Sequence, residues 1–275
     1  MSLTTVVNSM RSLVRQTGLP RFLGRFRANP FVQWRREYAE NRVAHAAISV
    51  GPLSCDILTA DVDEYCVVKK YRSDERILRF LIERLRPGDD CWDIGASVGV
   101  YSVLLGKTVG ANGRVLSFEP EPRCFQRLKA NAALNNLTNI EAFNLALGSQ
   151  RISTSLFVTD RAPSGAHSLF SKQRGDLKSG VPVEVYPGDL WRKENGRPAP
   201  AALKVDVEGF EEEVLTGLSE TLRDERCRTV MCEVHFAILA TNGREDTPAK
   251  IEKLLQASGF KTSWIDWSHL AGRKA

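Results

Sequence analysis

Histidine, methionine and cysteine are scarce in this chain, which holds four, three and six of them among 275 residues. The cysteines are Cys55, Cys66, Cys91, Cys124, Cys227 and Cys232, and none stands in a C-x-x-C pair. No two histidines stand at zinc spacing either, so no structural zinc site is encoded. Cys91 and Cys232 lie in short apolar runs, which reads as small buried thiols in a reducing compartment. No run approaches the ~20 apolar residues of a membrane span. The N-terminus lacks the ~7–15-residue apolar block of a secretory signal. A cytoplasmic protein is therefore expected. Acids are missing from residues 1–36, which are rich in arginine and carry several Ser and Thr. Organellar transit peptides share that pattern.

What is present is 43% hydrophobic and 26% charged, enough for one large α/β domain with an extension. The excess charge is localised. Residues 1–45 hold eight arginines against Glu37 and Glu40, and the remainder is close to neutral. A chain-wide basic balance would point to nucleic acid. A basic arm on a neutral body points instead to an anionic lipid surface or an acidic partner. Apolar residues such as Leu13, Phe22, Phe26 and Trp34 interrupt the arginines. The arm thus reads as helices packed on the core, with peripheral membrane contact as the alternative.

Segments such as Cys55–Thr59 and Tyr65–Val68 alternate in polarity and read as accessory strands. We place the arm and these strands at 1–70 and a catalytic domain at 71–275. From Tyr71 the pattern is strand–helix alternation. A helix with Ile77, Leu81 and Leu85 inward precedes a strand at Cys91–Ile94. Further strands are expected at Val115–Phe118, Ile140–Leu147, Ala202–Asp206, Thr229–Glu233 and 260–267. Strands near 154–158 and 181–186 fall in an insertion. Short apolar strands alternating with helices imply a doubly wound, mainly parallel α/β sheet. Ser268–Ala275 leaves little room for a seventh strand.

The informative turn is Asp93-Ile94-Gly95-Ala96-Ser97-Val98-Gly99, between a strand and a helix. Gly95 and Gly99 let the backbone turn sharply and approach a ligand. The spacing is G-x-x-x-G, not the G-x-G-x-x-G of dinucleotide sites. Asp93 stands at the mouth of the turn, where a carboxylate would repel a pyrophosphate. S-adenosylmethionine carries an ammonium and a sulfonium and no phosphate, so an acid there attracts it. Glu119 ends the second strand and can accept hydrogen bonds from both ribose hydroxyls. Pro120 or Arg123 can then pack on the adenine. A nicotinamide-dependent oxidoreductase is the disfavoured alternative.

These residues, with Asn144-Leu145-Ala146-Leu147-Gly148 and Leu203-Lys204-Val205-Asp206-Val207-Glu208-Gly209, resemble the FkbM family of class I, Rossmann-like methyltransferases over about residues 71–240. The Lys-x-Asp-x-Glu-Gly block is the specific part of the likeness. The resemblance implies cofactor contacts from Asp93, Gly95, Ala96, Ser97, Gly99 and Glu119. It implies that Tyr101 and Ser102 line the methionine end, and that Asn144 and Ala146 pass the adenine edge.

Lys204, Asp206 and Glu208 share one side of an extended strand, and Glu233-Val234-His235 repeats the pattern. A hydroxyl acceptor needs a base, and His235 has a suitable intrinsic pKa. Asp206 and Glu208 can orient it, bind a sugar hydroxyl or act as the base themselves. Asp206, Glu208 and Glu233 could also hold magnesium, but the spacing demands no metal and none is expected. His167, in an insertion loop, can reach over the acceptor. The fourth strand lacks the Pro-Pro-aromatic turn of amino-group methylating enzymes. With a neutral core, nucleic acid is a poor acceptor. The expectation is an S-adenosylmethionine-dependent O-methyltransferase acting on a sugar, glycolipid or natural-product hydroxyl. A catalytically silent cofactor-binding protein on the same fold is the alternative.

Overall fold

The computed structural model describes residues 45–59, 65, 68, 71, 75–157 and 180–274. They belong to one compact unit spanning His45–Ala275. The basic arm and His167 lie outside the described residues. The strands at β1 (His45–Val50) and β2 (Leu53–Leu58) form an antiparallel hairpin. This hairpin is part of the compact unit. Tyr65 and Val68 are helical rather than extended, and Tyr71 is helical too. Tyr65 and Val68 are buried, so their spacing of three marks an inward helix face.

The core begins with α1 (Glu75–Ile82) and continues as β3 (Asp90–Ile94), α2 (Val100–Val109), β4 (Arg114–Phe118) and α3 (Pro122–Leu134). Then come β5 (Ile140–Phe143), β6 (Ala146–Gly148), β7 (Ile152–Phe157), β8 (Gly180–Pro187) and α4 (Gly188–Glu194). The chain continues through β9 (Ala202–Val205), α5 (Glu211–Gly217), α6 (Ser219–Arg223), β10 (Thr229–Glu233) and α7 (Phe236–Thr241). It closes with α8 (Thr247–Ala257), β11 (Lys261–Trp264) and β12 (His269–Arg273).

The main sheet has seven strands in the order β11-β12-β10-β9-β3-β4-β5. The run from β10 to β5 is parallel, and β12 is antiparallel to both its neighbours. A seventh, antiparallel strand is therefore present after all. Leu270 and Ala271 of β12 are fully buried. Five residues suffice because both of its edges are paired.

The expected strand over 140–147 is two strands in two sheets. β6 leaves the main sheet and pairs with β8, which also pairs with β7. Asn144 turns the chain between them, its amide donating to the carbonyls of Glu119 and Pro120 at 2.9 Å each.

Helix α2 is buried nearly all round because the β1–β2 hairpin covers the side that faces away from the sheet. Asn131 of α3 fixes that cover. Its side chain accepts from Leu58 N–H at 2.8 Å and donates to the Val98 carbonyl at 2.7 Å. Under the other face, Trp92, Phe118, Phe143 and Trp191 pack with ring centroids 4.8–5.6 Å apart. Such pairs add ~0.5–1.5 kcal/mol each beyond area burial. Among the described residues no helix is long and apolar enough to cross a membrane. The described cysteines are buried free thiols.

Candidate active site

The strand order reverses at β3, whose neighbours are β4 on one side and β9 on the other. In open parallel sheets that point leaves a crevice beyond the strand C-termini. The turn Gly95–Gly99 sits there. Gly95 has φ of +74°, and a Cβ on it would stand 1.8 Å from the Asp206 carbonyl oxygen. Only glycine lets β3 turn this close to the end of β9. Gly99 has φ of +90° and presses on Leu128 of α3.

Ser97 holds φ of +51°, an uncommon conformation for a side-chain-bearing residue. Its N–H donates to Glu119 Oε2 at 2.8 Å. Its hydroxyl is buried and has no hydrogen-bond partner. Glu119 is 5% exposed and accepts a second backbone N–H, from Glu121, at 2.8 Å. Burial pushes its carboxyl up to about 7, against the pull of those two N–H groups. Ala96 is buried and Pro120 half-buried beside it. An orphaned hydroxyl and a two-oxygen acceptor thus face one glycine turn, which fits the polar edge of a nucleoside.

Asp93 does not stand open at the mouth of the turn. It is fully buried and bonded inside the protein. Ser102 Oγ donates to it at 2.6 Å, and Lys204 Nζ lies 3.2 Å from its other oxygen. The β3–β9 register sets Asp93 directly beside Lys204. A carboxylate buried at a strand end needs such a counter-charge. Lys204 also donates to the Gly95 carbonyl at 2.7 Å and reaches Asp206 at 3.4 Å. These two acids keep it firmly protonated despite burial. Ser102 does not line an open methionine site either. It is fully buried, bonded to Asp93 and 2.8 Å from the Ser117 hydroxyl. Tyr101 is buried, with its ring 5.2 Å from the Lys204 ammonium and edge-on to Tyr71 at 5.6 Å. Asn144 works on the backbone of Glu119 and Pro120, and Ala146 opens β6. Asn144 thus braces the Glu119–Pro120 corner from which β6 departs.

The other three expected residues do converge. Asp206 and Glu208 follow β9, and His235 follows β10. His235 Nε2 lies 3.6 Å from Asp206 Oδ1 and 3.4 Å from Glu208 Oε2. Glu208 adopts φ of +53°, which turns its carboxylate back into this group. His235 Nδ1 lies 2.7 Å from Glu211 Oε1, and that oxygen also accepts the Gly209 N–H at 2.8 Å.

Burial works against a charged His235, but the Glu211 hydrogen bond and the charges of Glu208 and Asp206 outweigh it, raising the ring to about 10. Burial, aided by neighbouring acids, pushes Glu208 up to about 8. Asp206 is raised by burial, with Lys204 opposing. A histidine held charged starts in the wrong state for a general base.

Sequence reasoning missed Glu211, Lys204's inward role and Tyr71. Glu211 was findable: it stands three, four and seven residues before Val214, Leu215 and Leu218, on the apolar face of α5. Glu233 belongs to a neighbouring group. Its Oε2 lies 3.4 Å from His269 Nε2, and His269 Nδ1 lies 3.0 Å from both oxygens of Asp266. The described residues able to hold a metal ion together are Asp206, Glu208 and His235, with His235 in the place expected of Glu233.

A protein-family model for the methyltransferase FkbM domain matches residues 93–262. Hexuronic acid methyltransferase AglP of Haloferax volcanii is 26% identical over 201 residues, covering 73% of this chain and 75% of that protein. Methyltransferase sdnD of Sordaria araneosa is 29% identical over 195 residues, covering 61% and 72%. Among solved structures, the O-methyltransferase TomG from Streptomyces achromogenes, in complex with S-adenosylmethionine, gives a TM-score of 0.47 at 13% identity, covering 74% and 81%.

Proposed function

This chain belongs to the FkbM family of methyltransferases, and from that premise we propose that it methylates a hydroxyl of a sugar, glycolipid or natural product, with S-adenosylmethionine as donor. The cofactor, when bound, supplies an electrophilic methyl group. Gly95, Ala96, Ser97 and Gly99 would hold its nucleoside, with Glu119 on the ribose hydroxyls and Pro120 at the base. The free Ser97 hydroxyl supports this placement. Asp93 and Ser102 act from beneath, by fixing Lys204 and the turn.

Methyl transfer depends chiefly on proximity and alignment. Here the carrying observation is the contact between Gly95 and the Asp206 carbonyl. It ties the cofactor turn to the acceptor cluster through backbone, which leaves little play between the two. Asp206 and Glu208 would bind the acceptor hydroxyl and take its proton. His235, braced by Glu211, would position those carboxylates. The acceptor is a small molecule or glycan. A neutral body around an acidic crevice speaks against nucleic acid.

Calorimetry with S-adenosylhomocysteine and with NADH tests the donor, and radiolabelled methyl transfer to a fractionated hydroxyl-bearing extract tests the acceptor. Binding of the first ligand alone, with label recovered as alkali-stable ether, is the expected result. Preference for NADH would remove the donor assignment. Tight binding of S-adenosylhomocysteine with no label transferred would leave a non-catalytic cofactor-binding protein.

A further inference from the structure

Asp206, Glu208 and His235 present three donor atoms that all lie within 4.8 Å of one another. The separations from Nε2, 3.4 and 3.6 Å, are too long for N–H···O hydrogen bonds. Neighbouring ligands around a divalent cation with bonds of ~2.1–2.3 Å stand roughly 3 Å apart. Small inward movements would close the set on an ion.

Histidine orientation points the same way. Glu211 is fully buried and holds Nδ1 at 2.7 Å. The Gly209 N–H, donating to that same Glu211 oxygen, keeps the carboxylate in place. A carboxylate behind one ring nitrogen fixes the tautomer and aims the other nitrogen's lone pair outward, the arrangement that supports metal-bound histidines. Nε2 is thereby turned toward two carboxylate oxygens, and a cation bound there would take the place of the proton on that nitrogen. Glu208 is brought to the group by a left-handed backbone, a conformation of the kind that persists where function or packing holds it. The three side chains keep 16–22% exposure, so the crevice reaches them and further coordination positions stay open to an acceptor.

We propose that Asp206, Glu208 and His235 bind one divalent cation of the Mn2+ or Mg2+ class, which grips the acceptor oxygen. Two carboxylates and one imidazole, with no thiolate, suit a hard to borderline ion. Its task would be to polarise the hydroxyl and offset the carboxylate charge around it. Only that task rests on the methyltransferase reading, because the ion's presence is read from the donor set itself.

The test is titration of Mn2+ into the full chain after chelator treatment, followed by electron paramagnetic resonance of the free ion. Binding of S-adenosylhomocysteine to metal-free protein is measured alongside. One bound Mn2+ per chain is expected, displaced competitively by Mg2+. E208Q and H235N should each weaken it more than tenfold, with thermal unfolding checked for both. E211Q, which touches no ion, should weaken it roughly 10–100-fold, as is usual for a residue supporting a ligand. Absence of saturable binding at millimolar Mn2+ would overturn the proposal. So would unchanged binding in folded E208Q and H235N. If S-adenosylhomocysteine binds but Mn2+ does not, the metal site alone fails. If Mn2+ binds but S-adenosylhomocysteine does not, the methyltransferase reading fails instead.

Discussion

Glu119 shows how much one side chain must do here. Its two oxygens organise the turn through Ser97 and Glu121, and the proposed function asks them to accept from ribose as well. Because burial lifts its carboxyl to about 7, it carries a proton below that pH and is ionised above it. The ionised form is the better acceptor for two hydroxyls. Affinity for S-adenosylhomocysteine should therefore tighten as pH rises from 6 to 8. E119Q should weaken binding by ~1–3 kcal/mol and flatten the pH dependence. Calorimetry at several pH values reads both, and an unchanged pH slope in the variant would dissociate Glu119 from the cofactor. At this scale Glu119, Gly95 and the Asp206–Glu208–His235 group were legible, because each stands at a strand end where chemistry concentrates. The burial of Asp93 was not legible, for a physical reason. Its partner, Lys204, is adjacent only through the β3–β9 register, a pairing far apart in sequence that periodicity does not contain.

Among the elements, the β3–α2 connection has the least freedom. A methyl group on Gly95 would collide with the Asp206 backbone, which cannot rotate away as a side chain could. Left-handed alanine adds strain of ~1–2 kcal/mol. G95A should therefore lower the unfolding midpoint and abolish measurable S-adenosylhomocysteine binding. Urea denaturation beside calorimetry checks this, and near-normal binding would mean the turn does not touch the cofactor. The alternation of strands and helices from residue 90 onward was readable from polarity. The break at Asn144 was not. An apolar run continues straight through it, and only the amide's bonds to two distant carbonyls divert the chain into a second sheet. The helical Tyr65 and Val68 were misread because a window this short fits either period.

Across the whole molecule, the fold class and its parallel strands followed from composition and spacing, while the strand count and the closure of the sheet did not. β12 is brief, and a strand paired on both edges needs less apolar length than an isolated one. Its Glu233–His269 pairing with β10 also brings the Asp266–His269–Glu233 group to the crevice rim. Truncation after Trp267 should strip partners from both β10 and β11 and uncover the core that Leu270 and Ala271 seal. Loss of a cooperative urea transition, followed by tryptophan emission, is the expected outcome. Retention of that transition would show that β12 is dispensable.

The wedge position of β12 also bears on how the chain matures. β11 is synthesised first, yet its sole partner in the main sheet is β12. As the polypeptide leaves the ribosome, β11 has nowhere to dock and β10 keeps a bare flank. The parallel half can assemble meanwhile, leaving a sticky nascent intermediate of the kind chaperones shelter.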